Sequence, residues 1–230
     1  MAKIKKDKAS EKNIMAVEEA LGKSEQFIEK NQNKIVWVVL AIVLIIGGYI
    51  GYNRFIIEPR EKEASAEIFM AQKYFEKDNY KMALEGDGFY MGFLDIIDNY
   101  GMTKSANLSK YYAGICYLNL GEFENAIDQL GSFKKRDMIL GAMAYGAMGD
   151  AYLELDNKEE ALKNYRKAAS HKPNKLTSPI YLLRAAQLEE HMGNYKSALD
   201  LYKKIKTDFH GSAEATDIDY YIGRVSGLIK

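Results

Sequence analysis

The chain has 230 residues, with 32 lysines and arginines against 32 aspartates and glutamates. That balance leaves no global field to draw in nucleic acid or an acidic partner. Seventeen tyrosines and ten methionines with only three prolines favour packed helices over a β-sandwich, one cysteine excludes an internal disulfide, and the three histidines (His171, His191, His210) are too scattered for a metal site.

Residues 1–34 read as a basic N-terminal tail. Lys3, Lys5, Lys6, Lys8 and Lys12 mark a disordered start. An amphipathic segment follows, in which Ile14, Val17, Leu21, Ser24 and Ile28 fall at alternating steps of three and four and so share one helical stripe. Its polar face mixes Glu and Lys, which disfavours a lipid-surface role. A partner-binding helix and a plain juxtamembrane helix both fit the pattern.

Residues 35–52 read IVWVVLAIVLIIGGYIGY, without a charge. As a helix the run covers about 27 Å, close to the hydrocarbon core of a bilayer. Lys34 and Arg54 bracket it, and Trp37, Tyr49 and Tyr52 stand where interfacial aromatics are expected. A cleaved signal peptide needs a shorter apolar region and a small-residue cleavage site, and bulky residues follow Gly51 instead. Cys116 lies too far downstream for lipid attachment at this point. The reading is a single uncleaved transmembrane anchor. Close to the span the cations on the two sides balance, and the additional N-terminal lysines tip the expectation toward a cytoplasmic N-terminus.

Glu58-Pro59-Arg60 is expected to end the anchor helix, because the residue before proline is pushed away from helical geometry. From about residue 60 the chain repeats itself. A small residue precedes an alanine by twelve positions at Ala71 and Ala83, Gly114 and Ala126, Gly149 and Ala161, and Ala186 and Ala198. Small residues at such points let two antiparallel helices approach closely. The second-helix alanines lie roughly 35 to 43 residues apart, a period that indicates stacked units. The longest gap contains Gly86-Asp87-Gly88, a turn signal that points to a bulged or broken second helix. It lacks the alternating acidic ligands of a calcium loop.

These residues resemble the tetratricopeptide-repeat family. Gly149, Tyr152, Ala161, Tyr165, Ala168 and Pro173 match the motif best. A second unit offers Gly114, Tyr117, Gly121, Phe123 and Ala126. A fourth offers Ala186, Gly193, Tyr195, Ala198 and Tyr202, with Glu189 where a tyrosine is expected. The first has Ala71, Tyr74, Tyr80 and Ala83 before it departs, and no unit has the early tryptophan. The fold expected is all-α: one N-terminal transmembrane helix, then an α-solenoid of about four helix pairs. The repeat domain spans 60–230, with units near 63–100, 107–140, 142–175 and 179–212 and a capping segment at 213–230.

The resemblance implies a concave groove that binds protein partners and is lined by fixed positions of each first helix. In this sequence those positions include Ile68, Gln72, Tyr111, Ile115, Leu118, Asp150, Leu183 and Gln187. They are mostly apolar, aromatic or neutral, which suits an apolar peptide or a partner helix better than an acidic carboxyl tail. Tyr111 and Ile115 fit packing between helices as well as they fit the groove.

No nucleophile elbow, phosphate-cradling glycine loop or histidine pair at ligand spacing is present in the sequence. Cys116 sits among apolar residues and reads as a structural thiol. Neither a catalytic site nor a cofactor is expected. The whole plan resembles membrane-anchored periplasmic repeat proteins that are ancillary subunits of the bacterial Sec translocon. That likeness implies a non-catalytic inner-membrane adaptor with its repeats in the periplasm, near the translocon or its chaperones. A self-associating organiser of cell division or envelope assembly, and a cytoplasmic-facing regulator, are the alternatives. Partner identity and oligomeric state are not written in the sequence.

Overall fold

A helix is described from Glu29 to Phe75 in a computed structural model that describes residues 29–229. The basic start and the amphipathic stripe through Ile28 lie outside the described residues. The chain divides into two units, Met1–Glu58 and Pro59–Lys230. In the first, an 18-residue window has a mean hydropathy of 2.4 and none of it is buried. Trp37 is 71% exposed and Ile45 71%, so this helix finds no protein partner for its apolar surface among the described residues. It is long and apolar enough to cross a membrane.

Pro59 does not end the helix, contrary to expectation. Glu58 keeps helical dihedrals (φ −61°, ψ −44°), and the turn just before it, Asn53–Ile57, is π-helical. A proline inside an α-helix loses one hydrogen bond and its ring collides with the carbonyl four residues back. A π turn moves the local carbonyls out of that register, and so the helix can pass through. Arg54 and Glu58 pair across the same turn at 2.5 Å.

The second unit begins within α1, Glu58–Phe75. Its partner is broken into α2 (Tyr80–Glu85) and α3 (Phe93–Tyr100). Three further pairs follow: α4 (Lys104–Leu120) with α5 (Phe123–Ser132), α6 (Met138–Glu154) with α7 (Lys158–Ser170), and α8 (Ser178–His191) with α9 (Tyr195–Asp208). A 3-10 turn at Ala213–Ala215 leads to α10, Ile218–Leu228, which packs on α9. Among the described residues all regular structure is helical.

The small residues sit where the helices of a pair come together. A Cβ on Gly114 would lie 2.4 Å from Leu130 Cγ, and one on Gly149 would lie 2.6 Å from the Tyr165 ring. Ala71, Ala83, Ala186 and Ala198 are fully buried. Each pair is then joined by the same turn. Asp78, Gly121, Asp156 and Gly193 all take positive φ, between 55° and 79°. The next amide donates back to Tyr74, Tyr117, Tyr152 or Glu189 at 2.8–2.9 Å. Left-handed geometry favours glycine, and aspartate is among the few other residues that tolerate it.

The break between α2 and α3 has a definite construction. Asp87 Oδ1 accepts from the amides of Phe89 and Tyr90 at 2.9 and 2.8 Å, and its other oxygen accepts from the Tyr74 hydroxyl at 2.6 Å. Those three bonds hold the Asp87 carboxyl below its ordinary value. The loop then returns so tightly that a Cβ on Gly92 would lie 2.1 Å from Leu84 O. From there α3 resumes burial with Phe93 and Ile96, both fully enclosed. Phe93 stacks on Tyr112 of α4 at 5.1 Å.

Candidate functional site

The first helices of the last two repeat pairs, α6 and α8, are locked by a notch and a polar bridge. Gly146 leaves a gap on α6 that the Tyr181 ring of α8 fills, since a Cβ there would lie 2.0 Å from Tyr181. One turn further along each helix, Arg184 Nη1 donates to Asp150 Oδ1 at 2.5 Å. The Tyr165 hydroxyl of α7 donates to the same oxygen at 2.7 Å. Burial and the Asp150 carboxylate together push the Tyr165 hydroxyl well above its ordinary value. Burial works against the Arg184 charge, but the bond to Asp150 outweighs it and raises Arg184.

A cleft of about 490 Å³ opens around this bridge, lined by Asp150, Leu153, Lys158, Tyr165, Arg184, Gln187, Leu188 and His191. Asp150 Oδ2 has no hydrogen-bond partner among the described residues. The cleft therefore offers a carboxylate acceptor, a guanidinium donor and the exposed Leu153 side chain within one concave surface. Such a mixture suits a peptide backbone with an apolar side chain.

The eight sequence-derived groove positions separate into three groups. Asp150 and Gln187 both line this cleft. Gln72, Ile115, Leu118 and Leu183 are half-buried, with Ile115 and Leu118 packed against the cluster of Tyr111, Leu130, Phe133, Ala144 and Ala147, and Leu183 packed against the core of the last two pairs. Ile68 and Tyr111 are each only 6% exposed and belong to the core. Tyr111 packs on Phe133 at 5.6 Å, and burial pushes its hydroxyl up to about 12. Sequence reasoning missed Arg184, Leu153 and His191. The available signal was the separation of Asp150 and Arg184 by 34 residues, opposite charges at one repeat length.

Glu189, which stands where a tyrosine is expected, is 4% exposed and has a full set of partners. Ser197 and Asn194 donate to its two oxygens at 2.7 and 2.8 Å, and Arg166 of α7 also donates to it. Burial alone would raise this carboxyl, but the bonds from Ser197, Asn194 and Arg166 outweigh it and hold Glu189 below its ordinary value. Its role is to tie α7, α8 and α9 together. Cys116 is fully buried on α4, and burial pushes its thiol up to about 12, so it holds almost no thiolate at neutral pH. Among the described residues no three His, Cys, Asp or Glu side chains cluster as metal ligands would.

With this arrangement in place, comparison with known proteins gives a consistent class. Residues 142–175 and 109–137 each match a model of the tetratricopeptide repeat. Among solved structures the chain is similar to one titled "Crystal structure of MamA protein", with a TM-score of 0.55, 18% identity, and coverage of 72% of this chain and 83% of that one. That likeness concerns the fold alone. No curated protein matches the sequence. The matched stretches, which hold most of α4–α5 and α6–α7, are tetratricopeptide repeats, modules that generally serve as non-catalytic scaffolds for protein–protein interaction.

Proposed function

We propose that this protein is a non-catalytic adaptor, anchored in a bacterial inner membrane by residues 35–52, with its repeat domain in the periplasm. The observation that carries the reading is the Asp150–Arg184 cleft between α6 and α8. It sits on a repeat scaffold whose chain also holds a helix able to span a bilayer. The ligand that fits is an extended or helical protein segment with one apolar side chain for Leu153 and Leu188 and backbone groups for Asp150 and Arg184. Envelope proteins or emerging chains near the Sec translocon, or periplasmic chaperones, are the partners this plan suggests.

The test is crosslinking of the full-length protein in mild detergent, followed by mass spectrometry of what co-purifies, with Gln187→Arg/Leu153→Glu in parallel. Recovery of translocon or chaperone subunits by the wild type and their loss in the double variant supports the adaptor. Recovery of the same subunits by both overturns the assignment of the cleft. An alkaline phosphatase fusion after Lys230 that stays inactive overturns the periplasmic orientation. A self-associating organiser is the second reading, favoured by Tyr220, which is 66% exposed on α10 at the end of the stack. Recovery of the protein alone, with crosslinks through α10, selects it.

A further inference from the structure

The repeat domain, residues 59–230, holds 23 lysines and arginines against 25 aspartates and glutamates, and these charges are unevenly placed on its two long edges. Around the turns that join the helices of the two middle pairs stand Glu122, Glu124, Glu154, Asp156 and Glu159, all exposed. Loops on the opposite edge, after the second helices, carry Lys134, Arg136, Lys172 and Lys175, also exposed. Lys104 at the start of α4 and Lys167 in the last turn of α7 extend the same row. None of these six cations forms an ion pair with a described residue.

Hydrogen bonds between neighbouring loops stitch this basic edge into one continuous surface. Lys134 N donates to Asn107 Oδ1 of α4 at 2.8 Å. Lys172 Nζ donates to Arg136 O at 2.5 Å, and His171 Nε2 lies 2.9 Å from Asp137 O. The two carboxylates nearest the six cations are engaged with backbone, while exposed Asp98 and Asp208 lie at the ends of the row, in the last turns of α3 and α9. Asp137 accepts from Ile139 N and Leu140 N at 2.8 Å, capping α6. Glu61 accepts from Lys104 N at 2.5 Å and from Ser105 Oγ at 2.8 Å, capping α4. Between the start of α4 and the loop before α8, cations therefore dominate what this edge presents to solvent.

The Glu61 contact also shows where the chain enters the domain. The first turn of α1 lies beside the start of α4, on the basic edge. Only a few residues separate Tyr52, the end of the uncharged run, from Pro59, the first residue of the repeat unit. At no more than about 3.5 Å per residue, that short connection joins the anchor to the domain at the Lys104 end of the basic row. Clustered cations close to a membrane are drawn to anionic lipid, within a Debye length of about 10 Å.

We infer that the edge formed by Lys104, Lys134, Arg136, Lys167, Lys172 and Lys175 docks on anionic phospholipid headgroups of the membrane that the chain's own helix spans. The inference rests on the anchor reading above. A soluble polyanion is a weaker fit, because it would compete with a headgroup layer kept at high local concentration by the tether.

The test uses the full-length protein reconstituted in vesicles, with an environment-sensitive fluorophore on Ser132→Cys at the basic edge or on Asn125→Cys at the acidic edge. Cys116, fully buried, stays unlabelled. The Ser132→Cys probe should brighten and shift to the blue in phosphatidylglycerol vesicles relative to pure phosphatidylcholine. The change should vanish in about 1 M salt, where the Debye length falls to about 3 Å. It should also vanish in Arg136→Glu/Lys172→Glu/Lys175→Glu, while the Asn125→Cys probe stays constant throughout. Identical Ser132→Cys spectra in both lipids, or an undiminished shift in the triple variant, overturns the inference. So does a response to inorganic phosphate or polyglutamate that phosphatidylglycerol does not produce. Alkaline extraction of the same vesicles separates the two readings. Protein that is extracted sinks the anchor and the docking together, whereas retained protein with a lipid-insensitive probe sinks the docking alone.

Discussion

Arg184 on α8 and Asp150 on α6, 34 residues apart in sequence, meet at 2.5 Å across the junction of two repeat pairs. Both side chains are partly open to solvent, 44% and 34%, so screening limits what the charge pair contributes. The Tyr165 hydroxyl shares the same acceptor oxygen at 2.7 Å, and this makes Asp150 the centre of a three-helix bridge.

Asp150→Ala is therefore expected to cost more than Arg184→Ala, about 1–2 kcal/mol against less than about 1, because it also leaves the half-buried Tyr165 hydroxyl without its acceptor. Urea unfolding of the two variants and of the double variant checks this. Equal losses in the two single variants would contradict the shared-acceptor account.

Gly146 and Gly131 are both helical glycines in very different surroundings. A Cβ on Gly146 would lie 2.0 Å from Tyr181, whereas one on Gly131 would meet nothing within 4 Å. Gly131→Ala should stabilise the domain by about 0.5–1 kcal/mol through helix propensity. Gly146→Leu should destabilise it by about 1–3 kcal/mol by forcing Tyr181 out of its notch. Thermal or urea midpoints of opposite sign are the expected result, and two shifts of the same sign would refute the packing assigned to α6 and α8.

Acid should loosen the last two repeat pairs through Glu189. Its carboxyl is lower in the folded protein than its ordinary 4.5. Its contribution is thus fully present above about 4.5 and is lost as pH falls through the folded value. Glu189→Gln should cost about 1–3 kcal/mol at neutral pH and flatten the acid limb of the stability profile. A Glu189→Gln profile parallel to the wild type at every pH would remove Glu189 from the account.

Cys116 should resist thiol reagents in the native state. Its full burial and a thiol pushed up to about 12 leave neither access nor thiolate. Labelling by a chromogenic disulfide at pH 8 should follow the unfolded fraction as urea is raised. Rapid stoichiometric labelling without denaturant would show that α4 is not packed as described.

The helix pairs and their crossing points were legible in the sequence because each depends on residues close to one another in the chain. Ala71 with Ala83, or Gly149 with Ala161, are twelve positions apart, and a close helix crossing needs small side chains at both. The Gly86-Asp87-Gly88 signal likewise marked the break that separates α2 from α3. The continuity of the helix through Pro59 was not legible. It depends on the π turn at Asn53–Ile57, which no composition rule encodes.

How the eight groove positions are buried was readable only in part, and for a physical reason. Position rules assign Ile68, Tyr111 and Leu183 to equivalent places in their repeats, but exposure there depends on what the adjacent pair delivers. Tyr111 is covered by Phe133, while the neighbouring α6–α8 junction stays open around Asp150 and Gln187. The sequence by itself determined an all-helical repeat protein with one apolar helix before it, since periodicity, small-residue spacing and hydropathy are local properties. Which positions close into core and which remain a cleft was decided by the tertiary structure alone. That outcome turns on long-range fits such as Tyr181 in the Gly146 notch, and these set how far one pair leans on the next.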